Sequence, residues 1–188
     1  MENKKLVTED VEPEARGVVW FRFRSSSPAA RLSNFWVFCD EKKARLSVEA
    51  LYQASKIAYC TDEDGEPLAA SEAKRLETAI LSVSDGLAAK KLGTKTQFKK
   101  WRIVLDTDTF NKDAPEIMER CIKLRAQKDP WFCRQLLRAR KHGWTFAHSA
   151  TRVPNQWTAR RDKSGKYLPE RGTNLLGEIM NKVALSLQ

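Results

Sequence analysis

The chain has 188 residues, of which 41% are hydrophobic, and it carries a formal net charge of +10 at pH 7. This length suits one domain built on one core and is short for two, and no apolar run approaches the length of a membrane span, which argues against a membrane protein. The 34 Lys and Arg residues exceed the 24 Asp and Glu residues mainly in the C-terminal half, so the charge predicts an anionic partner, either a phosphorylated small molecule or a nucleic acid. A basic surface that contacts only solvent would give the same charge.

The beginning of the chain predicts a flexible tail over residues 1–16, followed by a single domain over residues 17–188. The tail contains mixed charges, such as Glu9, Asp10 and Glu12, instead of the apolar core of a secretory signal. The four cysteines have no Cys-x-x-Cys spacing, which argues against a zinc site. Together these features predict a soluble protein with free thiols in a reducing cytoplasm.

A strand is predicted over residues 17–24, where β-branched and aromatic side chains give way to an alternation with arginine. Arg22 and Arg24 fall on one face of this strand, where they either grip a phosphate or form the solvent side of an edge strand. After a loop over residues 25–30, Asn34 and Phe35 lie in an aromatic segment. Asn34 suits a turn or a ligand contact, and spacing alone favours the turn.

Residues 47–59 predict a helix with Ser47 as its N-cap. At about 3.6 residues per turn, one face carries a carboxylate, a phenol, an amide and an amine, from Glu49, Tyr52, Gln53 and Lys56. Most other positions are apolar or small, a pattern typical of a buried helix whose polar stripe lines a cavity. A half-exposed helix with a Glu–Lys pair is the alternative, and spacing does not separate the two.

Most of the remaining chain has a helical pattern. Helices are predicted over residues 69–81, over 85–92 with a stop at Gly93, over 115–127, and over 130–142 with a stop at Gly143. Trp101 lies in residues 98–105, between two of these helices. The sequence therefore predicts a mainly α, multihelical domain that follows a short N-terminal β segment.

The segment of residues 144–154 predicts extended structure and carries His148. A single His in such a segment is more often a structural hydrogen bonder than a catalyst. A basic loop follows over residues 158–171, which is either a solvated charge run or a contact with nucleic acid or phosphate. Its candidate contacts are Arg160, Arg161, Lys163 and Lys166.

A glycine-rich stretch then leads into the last predicted helix. Gly172, Asn174 and Gly177 are spaced so that backbone amides at the start of this helix suit an anion. A single motif of this kind is weak evidence alone.

Five segments taken in chain order resemble the YbiA-like, or NADAR, superfamily, and they span roughly residues 20–185. They are residues 32–35 (Leu-Ser-Asn-Phe), residues 48–56 (Val-Glu-Ala-Leu-Tyr-Gln-Ala-Ser-Lys), residues 88–93 (Ala-Ala-Lys-Lys-Leu-Gly), Trp101, and residues 172–180 (Gly-Thr-Asn-Leu-Leu-Gly-Glu-Ile-Met). The resemblance implies a mainly helical fold and a pocket that hydrolyses the bond between a ribose C1 and a base nitrogen. It implies no metal or other cofactor.

The resemblance also implies a substrate class. Members of the superfamily act on ribosylamino-pyrimidine phosphates of riboflavin synthesis, or remove ADP-ribose attached to guanine in nucleic acid. The expected partner is therefore an ADP-ribosylated nucleic acid or a phosphorylated, ribonucleotide-like small molecule.

The central helix supplies the two matches to the superfamily's catalytic residues, Glu49 and Lys56, and Trp101 matches its pocket Trp. Cleavage of an N-glycosidic bond builds positive charge at the ribose C1, so Glu49 suits stabilisation of that cation or activation of water. Lys56 suits attack on an opened ribose to form a Schiff base, provided that burial lowers its pKa. Trp101 is expected to stack on the base, while Arg22, Arg24 or the segment at Gly172 holds phosphate.

Two carboxylates that members commonly carry are missing from the C-terminal third. His148 stands where a Glu follows an apolar pair, and Pro154 stands where an Asp precedes a Trp by three residues. Asn155, His148 and Asp162 are candidates to replace them. The sequence therefore leaves two hypotheses, an N-glycosidase with a rearranged site and a non-catalytic protein that binds ADP-ribose, a nucleotide or nucleic acid.

The complete set of candidate residues follows from these steps. The candidate catalytic residues are Glu49, Lys56, Trp101, His148 and Asn155. The candidate substrate contacts are Arg22, Arg24, Asn34, Phe35, Tyr52, Gln53, Trp157, Gly172, Asn174 and Gly177.

Overall fold

Helices dominate the computed structural model of the chain, which describes residues 9–14, 17–23, 25–39, 45–83, 85–149, 155–161, 167–168 and 172–187, with the backbone alone at 161, 167 and 168. The predicted fold class, mainly α with a short N-terminal β segment, is confirmed. The strands are β1 (Val18–Phe21), β2 (Val37–Cys39), β3 (Arg45–Ser47), β4 (Cys60–Asp62), β5 (Ile103–Leu105), β6 (Thr145–His148), β7 (Arg160–Arg161) and β8 (Tyr167–Leu168). The α-helices are α1 (Val48–Ser55), α2 (Ala70–Leu81), α3 (Gly86–Leu92), α4 (Lys95–Lys100), α5 (Thr107–Lys128), α6 (Pro130–His142) and α7 (Leu175–Ser186).

The helices in these ranges are too short or too polar to cross a bilayer.

The central helix begins as predicted and ends earlier. Ser47 caps α1, because its hydroxyl accepts a hydrogen bond from the Ala50 N–H at 3.0 Å. The prediction that the helix extends to Tyr59 is wrong, since Lys56–Tyr59 tightens into a 3-10 turn before β4 begins. Such a turn satisfies carbonyl groups that the end of an α-helix leaves without donors.

The long helix α5 also differs from its prediction. It begins at Thr107, eight residues before Pro115, which lies inside it. Asp106 fixes the start, because its carboxylate accepts from the backbone N–H of Thr109 at 3.0 Å and from its hydroxyl at 2.6 Å. Pro115 has no N–H to donate to the carbonyl of Asn111, so α5 continues through it with one backbone hydrogen bond missing.

Other elements lie close to their predicted positions. Helix α6 runs from Pro130 to His142 and ends at Gly143 in the left-handed region. Helix α3 has Asp85 as its N-cap and ends at Gly93. The predicted strand at residues 17–24 is shorter, since β1 ends at Phe21 and leaves Arg22 outside it.

Contacts divide the chain into two compact units, of which unit 1 comprises Met1–Ser33 and Asp129–Gln188, and unit 2 comprises Asn34–Lys128. In unit 1, β1 pairs in parallel with β6 so that Phe21 lies opposite His148. Helix α7 packs on β6 and on α6. Parallel pairing of strands so distant in sequence fits the long crossover that parallel strands need.

Residues 9–14 of unit 1 differ from the flexible tail expected for residues 1–16. Val11 is 2% exposed, and its N–H donates to the side-chain oxygen of Gln135 at 3.0 Å. Asp10 contacts Arg134 at 3.1 Å and Arg138 at 3.3 Å on α6. The acidic charges that suggested a solvated tail instead pair with basic side chains of a helix, and one apolar residue between them is buried.

In unit 2, α1 occupies the centre and packs against α2, α3 and α5. The antiparallel hairpin of β2 and β3 leads into α1, and β4 pairs with β5. Between α1, α2 and α4 lies an apolar core formed by Ala50, Ala54, Ile57, Cys60, Leu76, Ile80, Ala89, Phe98 and Ile103. The apolar positions of α1 therefore face a core, and its polar stripe is left for a separate surface.

Candidate functional site

A buried carboxylate lies at the centre of unit 2. Glu49 is 5% exposed, and both of its oxygens accept hydrogen bonds from side-chain amides, from Asn34 at 2.6 Å and from Gln53 at 2.8 Å. The Glu49 N–H in turn donates to the carbonyl of Asn34 at 2.9 Å. Burial raises the pKa of Glu49, whereas the hydrogen bond from Gln53 and the positive charges of Lys90 and Lys56 oppose that rise. The carboxylate is thus held in one orientation.

The two amides that hold Glu49 leave their own oxygens without partners. Among the described residues, neither Asn34 Oδ1 nor Gln53 Oε1 has a hydrogen-bond partner, although both atoms are buried. Gly93 makes room for the second one, since a Cβ at this position would lie 1.9 Å from Gln53 Oε1. A glycine is needed here for close approach, because any larger residue would displace Gln53 from Glu49.

Lys56 lies two turns along the same face. Its ammonium group donates to the carbonyl of Gly93 at 2.9 Å, and Nζ lies 5.6 Å from the ring centroid of Phe110. Burial lowers the pKa of Lys56, and the nearby negative charge of Glu49 opposes that change. Near neutral pH, Lys56 is therefore in its neutral amine form more often than an exposed lysine is.

A cleft of about 350 Å³ opens along this face of α1. Three lysines line it, and among the described residues no acidic side chain does. Its lining residues are Tyr52, Gln53, Lys56, Lys90, Gly93, Thr94, Lys95, Leu105, Thr107, Phe110 and Asn111. Glu49 is not among these lining residues, but it accepts a hydrogen bond from one of them, Gln53. The cleft therefore offers positive charge to a ligand, with a buried carboxylate one hydrogen bond away.

The structure places the other candidates of unit 2 as follows. Tyr52 is buried at the cleft, with its ring edge-on to Phe110 at 5.4 Å. Phe35 is partly buried beneath the Lys90 ammonium, which lies 5.4 Å from its ring centroid. Trp101 caps α4 and stacks on Phe98 with ring centroids 6.0 Å apart, and it is not among the residues that line the cleft.

In unit 1, the candidates His148, Asn174 and Gly177 lie together where α7 meets β6. The Asn174 side chain bridges the strand, donating to the Phe146 carbonyl at 2.9 Å and accepting from the His148 N–H at 3.0 Å. The His148 ring stacks on Phe21 with centroids 5.1 Å apart. A Cβ at Gly177 would lie 2.1 Å from the Phe146 carbonyl oxygen. Asn174 and Gly177 thereby fix the packing of α7 on the strand.

Asn155 and Trp157 lie in one turn of the same unit, where Asn155 is exposed and Trp157 is partly buried. The Asn155 side-chain oxygen accepts from the Trp157 N–H at 3.0 Å, which is the hydrogen bond of an Asx turn. Gly172 has a φ of 113° and precedes α7. The Asn155 side chain therefore serves local backbone geometry in the described structure.

The remaining basic candidates are exposed or lie outside the described residues. Arg22 and Arg160 are exposed, and of Arg161 only the backbone is described, in β7. Arg24, Lys163, Lys166 and Asp162 lie outside the described residues.

Several cleft residues have no counterpart among the sequence candidates. Lys90 lies within a segment of the superfamily resemblance, and its position one residue before Lys91 gave no reason to prefer either lysine. Phe110 and Asn111 lie in the part of α5 that precedes Pro115, where no helix was predicted. Asp106 is the sequence signal that could have placed them on a helix, because an Asp at this position can cap a helix that begins at Thr107.

No group of three or more His, Cys, Asp and Glu side chains within the described ranges has the geometry to hold a metal ion.

Replacing Glu49 with glutamine is expected to cost about 1 kcal/mol or less in free energy of unfolding, because either neighbouring amide can flip and present its unpartnered oxygen to the new amide. The raised pKa of Glu49 means that the folded wild type holds its proton to higher pH than the unfolded chain does. Wild-type stability therefore falls as pH rises through that pKa, and the variant lacks this loss.

Urea unfolding across the acidic to neutral pH range measures this difference. The variant should gain on the wild type as pH rises, and Glu116→Gln, an exposed change on α5, is the control for the loss of one carboxyl group. A variant that loses ground to the wild type as pH rises would contradict the assignment.

Compared with models of known protein families and with curated proteins, the chain gives no match.

Proposed function

We propose that this protein is an N-glycosidase of the YbiA-like superfamily that hydrolyses the bond between a ribose C1 and a base nitrogen. ADP-ribose attached to guanine in nucleic acid is the proposed substrate, with a ribosylamino-pyrimidine phosphate as the small-molecule alternative. One observation carries the proposal. A buried, doubly hydrogen-bonded carboxylate accepts one of its hydrogen bonds from Gln53, which lines a cleft that contains three lysines and, in the described part of the chain, no acidic residue.

The charge of the cleft selects the class of ligand. Lys56, Lys90 and Lys95 line it, so their ammonium groups attract phosphate or pyrophosphate. A volume of about 350 Å³ lies in the range of small-molecule sites. A nucleoside diphosphate or a ribose phosphate supplies both the size and the negative charge that such a cleft needs.

Glu49 supplies the negative charge that stabilises the positive charge formed during the reaction. As the glycosidic bond breaks, positive charge develops at C1, and a fixed carboxylate stabilises that charge without reorganising. The amides of Asn34 and Gln53 keep the carboxylate aimed. The raised pKa also brings the carboxyl group closer to a range in which it can exchange a proton with water.

Lys56 supplies the nucleophile. In its neutral form, Nζ adds to the ribose C1, the bond from C1 to the base nitrogen breaks, and the base leaves with a proton given up by the amine. The ribose ring then opens at its C1–O4′ bond, with the second amine proton passing to O4′, which leaves a Schiff base between C1 and Nζ. Water adds to this C1=N bond and the bond from C1 to Nζ breaks, which returns the amine and releases the sugar. The lowered pKa of Lys56 supports this role, because only the neutral amine has a free electron pair.

The state of the thiols supports a reducing compartment. Cys39, Cys60, Cys121 and Cys133 are all free, and the second and third are buried. The proposal places the enzyme in the cytoplasm, where thiols stay reduced.

The test of the proposal is incubation of the chain with a guanine-ADP-ribosylated oligonucleotide, with released ADP-ribose measured by mass spectrometry. The wild type should release ADP-ribose, and Glu49→Gln should release it at least about a hundredfold more slowly. Glu116→Gln is the matched control and should behave as the wild type. Absence of release by the wild type from this substrate and from ribosylamino-pyrimidine phosphates would overturn the proposal.

A second candidate function is binding of ADP-ribose or a related nucleotide without cleavage. It is favoured by the hydrogen bonds of Glu49, whose two oxygens each accept one from a neighbouring amide in a side chain that is 5% exposed. On this hypothesis Glu49 only braces α1. Calorimetric titration with ADP-ribose should then give the same affinity for wild type and Glu49→Gln, and neither should form a product.

A further inference from the structure

A second groove opens beside the cleft in unit 2. It has a volume of about 280 Å³ and shares Lys95, Leu105 and Thr107 with the cleft. Its other lining residues are Glu63, Phe98, Lys99, Arg102, Ile103 and Val104. We call it the basic groove. The shared lining residues show that the two depressions are neighbours on one surface of unit 2.

The basic groove combines positive charge with apolar surface. Lys95, Lys99 and Arg102 contribute three positive charges, and Glu63, which contacts Arg102 at 2.7 Å, contributes one negative charge. Val104 adds an apolar side chain that is 54% exposed. A groove lined by several cations is what proteins present to the phosphates of a nucleic-acid strand.

Arg102 is held in an unusual backbone conformation. Its φ of 57° lies in the left-handed region, directly after the Trp101 cap of α4. Glycine is the usual residue at this position after a helix, because a side chain there is strained. The helix dipole accounts for Lys99 near the end of α4, but it does not account for a strained arginine one residue past the cap. The guanidinium contacts Glu63 at 2.7 Å, and its side chain is 80% exposed, so a phosphate can also reach it.

We propose that the basic groove binds the phosphates of a nucleic-acid strand beside the base that enters the cleft. The identity of the group in the cleft rests on the proposed function, and the basic groove adds the surface on which the strand that carries this group lies. Chemistry on a base nitrogen requires that the base leave its stack. The strand is therefore single at this point, and its flanking phosphates lie along Lys95, Lys99 and Arg102.

The experiment measures binding of an unmodified single-stranded oligodeoxynucleotide of about 15 nucleotides, by fluorescence anisotropy over a series of salt concentrations. The double variant Lys99→Gln with Arg102→Gln changes side chains that line the basic groove and do not line the cleft. Its affinity should fall about tenfold at low salt, and the slope of log K against log salt should become shallower by about 1.4. The matched control Lys74→Gln with Arg75→Gln, on the exposed face of α2, removes the same charge and should bind as the wild type.

A further variant separates ligand contact from structure. Arg102→Gly relieves the strain at φ 57° and should unfold at the same temperature as the wild type or higher. It should nevertheless bind the oligonucleotide more weakly. Equal losses in the α2 control, or wild-type affinity in both basic-groove variants, would overturn the inference.

Free ADP-ribose serves as a separate probe of the cleft. If the wild type binds ADP-ribose and releases it from the modified oligonucleotide while the basic-groove variants keep full affinity for the unmodified one, the inference fails and the proposed function stands. If oligonucleotide binding depends on the basic groove while neither ADP-ribose binding nor its release is found, the inference stands and the proposed function fails.

Discussion

Replacing Lys56 with alanine is expected to slow release of ADP-ribose from an ADP-ribosylated oligonucleotide by about a thousandfold. In the proposed mechanism the Lys56 amine forms the bond to the ribose C1, and among the described lysines of the cleft it is the one on the same helix face as Glu49. The loss should appear in kcat, because Lys90 and Lys95 remain to hold phosphate. Single-turnover kinetics with enzyme in excess measures the chemical step directly.

A lysine-to-arginine change at the same position separates charge from nucleophilicity. Lys56→Arg keeps a positive charge but cannot form a Schiff base, so it should lose as much activity as Lys56→Ala. Lys91→Ala, at an exposed position on α3, is the control and should retain activity. Substantial turnover by Lys56→Arg would show that only the charge matters and would remove the covalent step.

The pH profile provides a second check on Lys56. Because burial lowers its pKa, the neutral amine becomes abundant at lower pH than for an exposed lysine. Turnover should therefore rise with pH through that lowered pKa and then level off. A rate that falls over the same range would contradict the assignment of the nucleophile.

Alanine at position 177 is expected to lower the free energy of unfolding by about 3 kcal/mol. The added Cβ would lie 2.1 Å from the Phe146 carbonyl oxygen and 2.5 Å from Asn174 Nδ2. Neither atom can move cheaply, because Phe146 pairs with Val19 in the β1–β6 ladder and Asn174 bridges the same strand. Relief of the overlap would require α7 to shift away from β6.

Urea unfolding of Gly177→Ala measures this cost, and Gly65→Ala provides the comparison. Gly65 has a φ of 86°, and a Cβ added there would have no described atom within 4 Å, so its substitution tests backbone strain alone and should cost about 1 kcal/mol. A loss at position 177 no larger than the loss at position 65 would show that the helix and strand separate easily.

The sequence was sufficient to predict the core of the candidate site. Ser47 as a cap and about 3.6 residues per turn place Glu49, Tyr52 and Gln53 on one face, and the structure buries all three. A cap and a helical spacing involve residues of one helix only, so they can be recognised from the residue types and their spacing in the sequence.

The partners of these side chains depend on contacts that periodicity does not encode. Asn34 reaches Glu49 because the β2–β3 hairpin returns the chain to the start of α1. The prediction of a turn at Asn34 agrees with the structure, but it did not include the hydrogen bond from Asn34 to the Glu49 carboxylate. Lys90 and Gly93 meet α1 through the packing of α3, which no local pattern specifies.

The predicted start of α5 was wrong because of Pro115. Reading Pro115 as a first-turn residue removed the preceding two turns, including Phe110 at the cleft. The Asp106 cap outweighs a single missing hydrogen bond inside a helix of 22 residues.

The pairing of β1 with β6 has a consequence for the order in which the protein is made. Residues 34–128 form one continuous stretch, whereas unit 1 is assembled from the two ends of the chain. On the ribosome, β1 emerges first and must wait for more than a hundred residues before β6 is available to pair with it. Contacts of such sequence separation form slowly, so β1 is the part of a nascent chain most in need of protection from other unpaired strands.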